Sequence, residues 1–304
     1  MIWIFYHSAD LDGHCSGAIV YDYMFKNHKD KGIKLIPIDY GIDFDIDIIN
    51  KDDIVYMVDF TLQDSKEDGT NRYHKTIEIH KKCSLYVIDH HKSNAKELKQ
   101  AGIKGIYGEN TKAACELTWG WFYKNKEVPR FVKLLSDYDN WNNEDKTYWE
   151  EDVLPFQMGM RMKLTDPNIL DAKRLWNMLF NIYNMFELSD FLSKTTTEGK
   201  LIIEYENKIN ADNIKENSFE IEFDGLKFIV CNGGRGSNLF DSIWDKNKYD
   251  AMMTFRCCKN KYWAVSMYTT KDIDLSKIAV KYGGGGHAGA CGFQIKNINN
   301  TKIK

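Results

Sequence analysis

The stretch Val87-Ile88-Asp89-His90-His91-Lys92 constrains this chain more than any other, because an apolar run of strand length ends there in a carboxylate, two imidazoles and an ammonium. Adjacent ionisable groups at the end of a buried strand need partners, since an isolated buried charge is costly. The same arrangement recurs upstream, where Ile2 to Tyr6 runs into His7, Asp10 and Asp12, and Ile54 to Val58 runs into Asp59. Further apolar runs at Lys34 to Ile38 and Lys104 to Tyr107, with helix-compatible segments between several of them, predict an α/β fold. Its sheet should be mostly parallel, with helices on both faces. In such sheets ligands sit outside the carboxyl ends of the strands, where His7, Asp10, Asp12, Asp59, Asp89 and His90 would all stand.

At 304 residues and 43% hydrophobic content, two globular domains are expected. From Thr111 onward the spacing turns helical, so a catalytic domain is assigned to residues 1–186. A polar amphipathic helix over 187–217 reads as a connector. Beyond it the period changes to two, with Phe219, Ile221 and Phe223 alternating with polar residues and a hairpin turn at Asp224-Gly225. Residues 218–304 are therefore read as a smaller α+β domain. The tryptophans Trp119, Trp121, Trp141, Trp149 and Trp176 lie in the helical part, and large aromatics at helical spacing are expected to pack in a core.

Charge and cysteine usage narrow the partners. A formal net charge of −3, from 41 basic and 44 acidic residues, advertises no long duplex nucleic acid. A short anionic substrate held by local charges fits better. The seven scattered cysteines suggest reduced thiols rather than a disulfide framework. The first apolar run stops at Tyr6, too short for a signal peptide or membrane span, so a cytoplasmic protein without a membrane partner is expected.

The strand-end residues offer mixed oxygen and nitrogen ligands, which suit manganese or magnesium better than a thiolate-preferring metal. Four aspartates would leave a single divalent ion over-charged. Two ions about 3.5–4 Å apart, bridged by a carboxylate, would balance them and activate a water against a phosphoester. Asp10 and Asp59 taken alone also read as helix caps, and only the three strand ends together favour a metal centre. His14, His28, His74 and His80 are expected at the surface or at caps. The run Asp39, Asp43, Asp45, Asp47 reads as a solvated face.

Four consecutive glycines, Gly283 to Gly286, are entropically expensive in a folded domain and suit backbone amides that must approach a phosphate. Gly284, Gly285, Gly286 and the following His287 are thus candidate substrate contacts. A second cluster, Asn232 to Asn238, offers Arg235 as an anion ligand, although a plain turn explains it nearly as well.

These residues resemble the motifs of the DHH phosphoesterase superfamily, whose signature stands here as Asp89-His90-His91. Its first motif is similar to His7-Ser-Ala-Asp10-Leu-Asp12-Gly13, its second to Val58-Asp59, and its fourth to the aspartate within Leu135-Ser-Asp137-Tyr-Asp139. The C-terminal part resembles the DHH-associated domain with its GGGGH run at Gly283 to His287. The resemblance implies two manganese ions, with Mg²⁺ or Co²⁺ as substitutes. His7, Asp10 and Asp59 would hold one, and Asp12, Asp59, His90 and Asp137 the other, with Asp139 competing for the fourth-motif role. Asp89 would orient a ligand, and His91 would face the scissile phosphate. The branch resembled is that of nano-RNases and cyclic-nucleotide phosphodiesterases. It implies hydrolysis of short oligonucleotides or dinucleotides to mononucleotides, with cyclic nucleotides or nucleotide 3′-monophosphates as alternative substrates. A catalytically silent nucleotide-binding module is the reading from a different class, and a homodimer is compatible with exposed apolar residues on the connector.

Overall fold

The structure is a computed structural model, and it describes residues 1–39, 42–63, 73–92, 94–109, 111–182, 184–234 and 236–296. The chain divides into two compact units, Met1–Ile202 and Ile203–Lys304.

In the first unit, five strands β1 (Ile2–His7), β2 (Ile33–Ile38), β3 (Ile54–Val58), β4 (Ser84–Asp89) and β5 (Lys104–Tyr107) form one sheet in the order β2-β1-β3-β4-β5. Every pairing is parallel. Because side chains alternate across a strand, the continuous apolar runs feed two cores. Trp3, Phe5, Val55, Met57, Leu85 and Val87 face one side, and Ile2, Ile4, Tyr6, Tyr56, Val58 and Ile88 face the other. Helix α1 (Leu11–Asn27) covers the second face through Val20 and Met24. Helices α2 (His74–Lys82) and α3 (Ala95–Gln100) cover the first through Ile79 and Leu98. The α/β class and the parallel sheet read from the sequence are both present.

Helices then accumulate, as the change of period predicts. Helix α4 (Ala114–Phe122) and α5 (Arg130–Asp139) build a third core with α1, centred on Leu134, Leu135, Phe131 and Trp119. A single turn, α6 (Lys146–Tyr148), continues through a π-helical turn at Trp149–Val153 into α7 (Leu154–Arg161). Helix α8 (Leu170–Asn181) adds Trp176 and Leu179 to the same core. The 33-residue α9 (Met185–Asn217) runs across the division between the units.

The second unit is a six-stranded mixed sheet of order β10-β11-β9-β8-β7-β6, formed by β6 (Ser218–Phe223), β7 (Leu226–Asn232), β8 (Ala251–Cys258), β9 (Tyr262–Tyr268), β10 (Gly285–His287) and β11 (Ala290–Ile295). The β6–β7 turn uses positive φ at Asp224 (53°) and Gly225 (81°), the conformation that a two-residue hairpin requires. Helix α10 (Ser276–Lys281) packs Ile278 and Ala279 against this sheet. All seven cysteines are free thiols. Among the described residues no helix is long and apolar enough to cross a membrane.

A candidate metal centre at the carboxyl ends of the strands

The loop after β1 is set by two local devices. Asp10 caps α1 by accepting from Gly13 N at 2.9 Å, and Gly13 lies so close to β1 that a Cβ there would sit 2.1 Å from the His7 carbonyl oxygen. Only glycine lets the helix start against the strand. Asp12, in the first turn of α1, is 3% exposed and accepts from Ala114 N (2.9 Å) and Cys115 N (2.7 Å), so the amino end of α4 holds its carboxylate. After β3, Asp59 adopts φ 56° while its N–H donates to the Ile88 carbonyl at 3.0 Å. A left-handed aspartate that is 2% exposed is an uncommon backbone state, of the kind that gathers at functional sites.

These elements bring His7, Asp10, Asp12, Asp59 and His90 together. His7 Nδ1 lies 2.7 Å from Asp10 Oδ2 and 3.5 Å from Asp59 Oδ2. His90 Nε2 lies 3.5 Å from Asp59 Oδ1, 4.0 Å from Asp12 Oδ2 and 3.2 Å from Asp139 Oδ2. Among the described residues three ligand-capable groups result, Asp59-His90-His91, His7-Asp10-Asp59 and Asp12-His90-Asp139, and Asp59 touches His7 and His90 with different carboxylate oxygens. Among the described residues, buried Asp59 Oδ1 and buried His90 Nε2 have no hydrogen-bond partner. Polar atoms in that state normally have a bonded neighbour, so the donor set fits divalent cations.

Protonation tells the same story. Burial, followed by the charges of Asp12, Asp10, Asp89 and Asp139, pushes the Asp59 carboxyl well above the usual range. Burial also raises Asp12, and burial together with the Asp12 charge raises Asp139 to about 7. For Asp10 burial also raises, but the hydrogen bond and charge of His7 and the Gly13 amide outweigh it and leave the carboxyl low. Several carboxylates are thus held where neutral pH should ionise them and the protein resists. A bound cation removes that conflict.

Asp89, 1% exposed, is occupied in another way. Its Oδ1 accepts from His91 N (3.0 Å) and pairs with His91 Nδ1 (2.7 Å), while Oδ2 accepts from Thr61 Oγ1 (3.0 Å) and Asn94 Nδ2 (2.6 Å). Burial raises the Asp89 carboxyl, but these donors, His91 first, hold it below its usual value, and the same hydrogen bond raises His91. With Nδ1 engaged by Asp89, Nε2 is the ring nitrogen of His91 left outside that pair.

Three sequence expectations need correcting. Asp137, grouped with the ligands, points elsewhere: its carboxylate accepts from Lys133 Nζ (2.8 Å), Asn142 Nδ2 (2.9 Å) and Tyr148 OH (2.8 Å), and Asp139 turns to His90 in its place. Residues two apart on a helix face about 200° apart, so one of the pair must look away from the centre. Asp39, read as part of a solvated face, stands at the end of β2 with Oδ1 3.4 Å from His7 Nε2. The strand-end rule applied to Lys34 to Ile38 would have found it. His14, expected at the surface or a cap, bridges Thr165 Oγ1 (2.9 Å) and the Ser8 carbonyl (3.2 Å) beneath the first loop.

The glycine run belongs to the second unit. Gly283 and Gly286 have φ 78° and 130°, and a Cβ on Gly284 would meet the Gly292 carbonyl oxygen at 2.1 Å. The run is therefore a tight turn leading into edge strand β10, with Gly284, Gly285, Gly286 and His287 all exposed. Arg235 lies outside the described residues.

A parallel sheet with buried carboxylates and imidazoles converging at its strand ends makes a site able to hold divalent cations. Residues 1–137 match the DHH family, N-terminal domain, and residues 229–303 match the DHHA1 domain, and the chain belongs to this family. Uncharacterized protein R106 of Acanthamoeba polyphaga mimivirus is 25% identical over 97% of this chain and 68% of its own length. Oligoribonuclease NrnB of Bacillus subtilis is 25% identical over 81% of this chain and 60% of its own length. Among solved structures, a pGpG-specific phosphodiesterase of Vibrio cholerae superposes with a TM-score of 0.53 at 13% identity, covering 98% of this chain and 94% of its own. An exopolyphosphatase-related protein of Bacteroides fragilis gives 0.51 at 13% identity, covering 97% of this chain and 87% of its own. At these identities the structures speak for the fold.

Proposed function

We propose that this protein is a phosphodiesterase that cleaves short oligonucleotides or dinucleotides to mononucleotides. The observation that carries the reading is the pair of ligand groups sharing Asp59. His7, Asp10 and Asp59 would hold one divalent cation, and Asp12, Asp59, His90 and Asp139 the second, with Mn²⁺ the preferred ion. When bound, such a pair supplies a water of lowered pKa and neutralises charge on the phosphate.

The remaining roles fall to the chain. Asp89 fixes the His91 ring through Nδ1, so that Nε2 is presented to a phosphate oxygen, and a protonated His91 would stabilise charge developing there. The Asp89 pair favours that protonated form. The amides of Gly285 and Gly286, with His287, serve as anion contacts in the second unit, whereas the Gly284 amide donates to the Ala279 carbonyl (2.8 Å). The near-neutral chain suits a substrate with few phosphates to neutralise. Support for a nucleotide substrate comes from two similar proteins, an oligoribonuclease and a pGpG-specific phosphodiesterase.

The test is a screen of purified protein with Mn²⁺ or Mg²⁺ against di- to pentanucleotides, cyclic nucleotides and 3′-phosphoadenosine compounds. Release of mononucleotide from dinucleotides, abolished by Asp59→Asn, is expected. No release from any dinucleotide would sink the reading, and nucleotide binding without turnover would favour the silent module.

A further inference from the structure

Of the tryptophans at helical spacing in the first unit, Trp119, Trp149 and Trp176 are buried as the periodicity predicts and Trp121 is half-buried, but Trp141 is 65% exposed. An exposed indole forfeits the largest apolar burial any side chain can offer, so its position needs another reason. Its backbone is also held in an unfavourable state. Trp141 has φ 55°, a region bulky residues avoid. The surroundings enforce it. Trp141 N donates to the Tyr138 carbonyl (3.1 Å), Asn142 N to the Asp137 carbonyl (2.8 Å), and Asn143 N to the Trp141 carbonyl (2.9 Å).

The ring is supported from behind. Trp149 lies 5.0 Å from Trp141 at 60° and is itself stacked on Tyr138 at 5.7 Å and 5°. The Arg161 guanidinium sits 5.5 Å over the Tyr138 ring and donates to its hydroxyl at 3.3 Å, adding a cation to the aromatic group. Trp141 also follows Asp139 by two residues, and two residues of chain span at most about 7 Å. An exposed, backed and strained indole therefore sits on backbone close to Asp139, one of the residues of the acidic centre.

We propose that Trp141 is the stacking platform for the nucleobase of the nucleotide whose phosphate reaches the acidic centre, a specificity contact for purine or pyrimidine rings. This rests on the nucleotide reading above. An aromatic face accepts every base, so it favours nucleotides over other phosphodiesters without reading sequence.

The experiment measures binding of GMP and of ribose 5-phosphate to Mn²⁺-loaded wild type, Trp141→Ala and Trp141→Phe by calorimetry, with dinucleotide turnover followed in parallel. Wild type should bind GMP about 10-fold tighter than ribose 5-phosphate, and Trp141→Ala should lose most of that difference. Trp141→Phe should keep most of it. Ribose 5-phosphate affinity should not change, and for the dinucleotide KM should rise about 10-fold in Trp141→Ala with kcat within about 3-fold. Equal affinity of wild type for the two ligands, or unchanged GMP affinity in Trp141→Ala, overturns the platform. Absence of dinucleotide turnover strikes the function reading, while the GMP comparison still decides Trp141.

Discussion

Asp137 and Asp139 stand two residues apart at the end of one helix and live in opposite electrostatic worlds. Asp137 is surrounded by donors, Lys133, Asn142 and Tyr148, which outweigh the effect of its burial and keep its carboxyl low. Asp139 faces His90, and burial first, then the carboxylates of Asp12 and Asp10, push its carboxyl to about 7. The first is a finished structural knot, in which buried Glu116 also joins through Lys133 and Ser136. The second is incomplete without a cation. In a chain of similar letters, the satisfied acid holds the fold and the frustrated one belongs to the chemistry.

Three experiments can break that contrast. The largest effect is expected for Asp139→Asn, which should cut Mn²⁺-dependent turnover by roughly 10³-fold while the metal-free protein stays folded, as thermal melting and metal titration would report. Equal loss in Asp137→Asn with unchanged melting would invert the assignment. Asp137→Asn should instead destabilise the fold by about 2 kcal/mol, because Lys133 and Tyr148 lose a charged acceptor, and should leave turnover within about 10-fold at temperatures where the protein is folded. Denaturant unfolding measures this.

The smallest effect concerns pH in chelator. A carboxyl whose folded pKa lies above its unfolded value binds more protons when folded. Its contribution is complete below about pH 4 and is lost as pH rises to about 7. Asp139→Asn should therefore melt higher than wild type at pH 8 by roughly a few degrees and match it near pH 4, and saturating Mn²⁺ should reverse the order at pH 8. A gap that does not vary with pH would show that Asp139 carries no excess charge cost.

Much of this was legible beforehand. The parallel sheet follows from apolar runs too continuous for a half-exposed strand, and the position of His7, Asp10, Asp12, Asp59 and His90 follows from their lying just past such runs. Asp39 obeys the same rule and was masked by its acidic neighbours. The choice between Asp137 and Asp139 was not legible, because it depends on Tyr148 and Asn142, which fold back onto α5 from the turn beyond it. Nor could spacing single out Trp141 from the tryptophans that pack inward, since its exposure is decided by one residue of left-handed backbone.

Left-handed backbone at Asp59 also limits what mutation can do there. Asparagine and glycine accept φ near 56° readily, whereas alanine or glutamate would meet the steric penalty of that region as well as the change of charge. An Asp59→Asn protein should thus report on charge alone, and Asp59→Ala on charge plus geometry. Descendants of this chain that abandon the chemistry but keep the fold are expected to pass through asparagine or glycine at this position, which makes residue 59 a marker for reading silent copies from sequence.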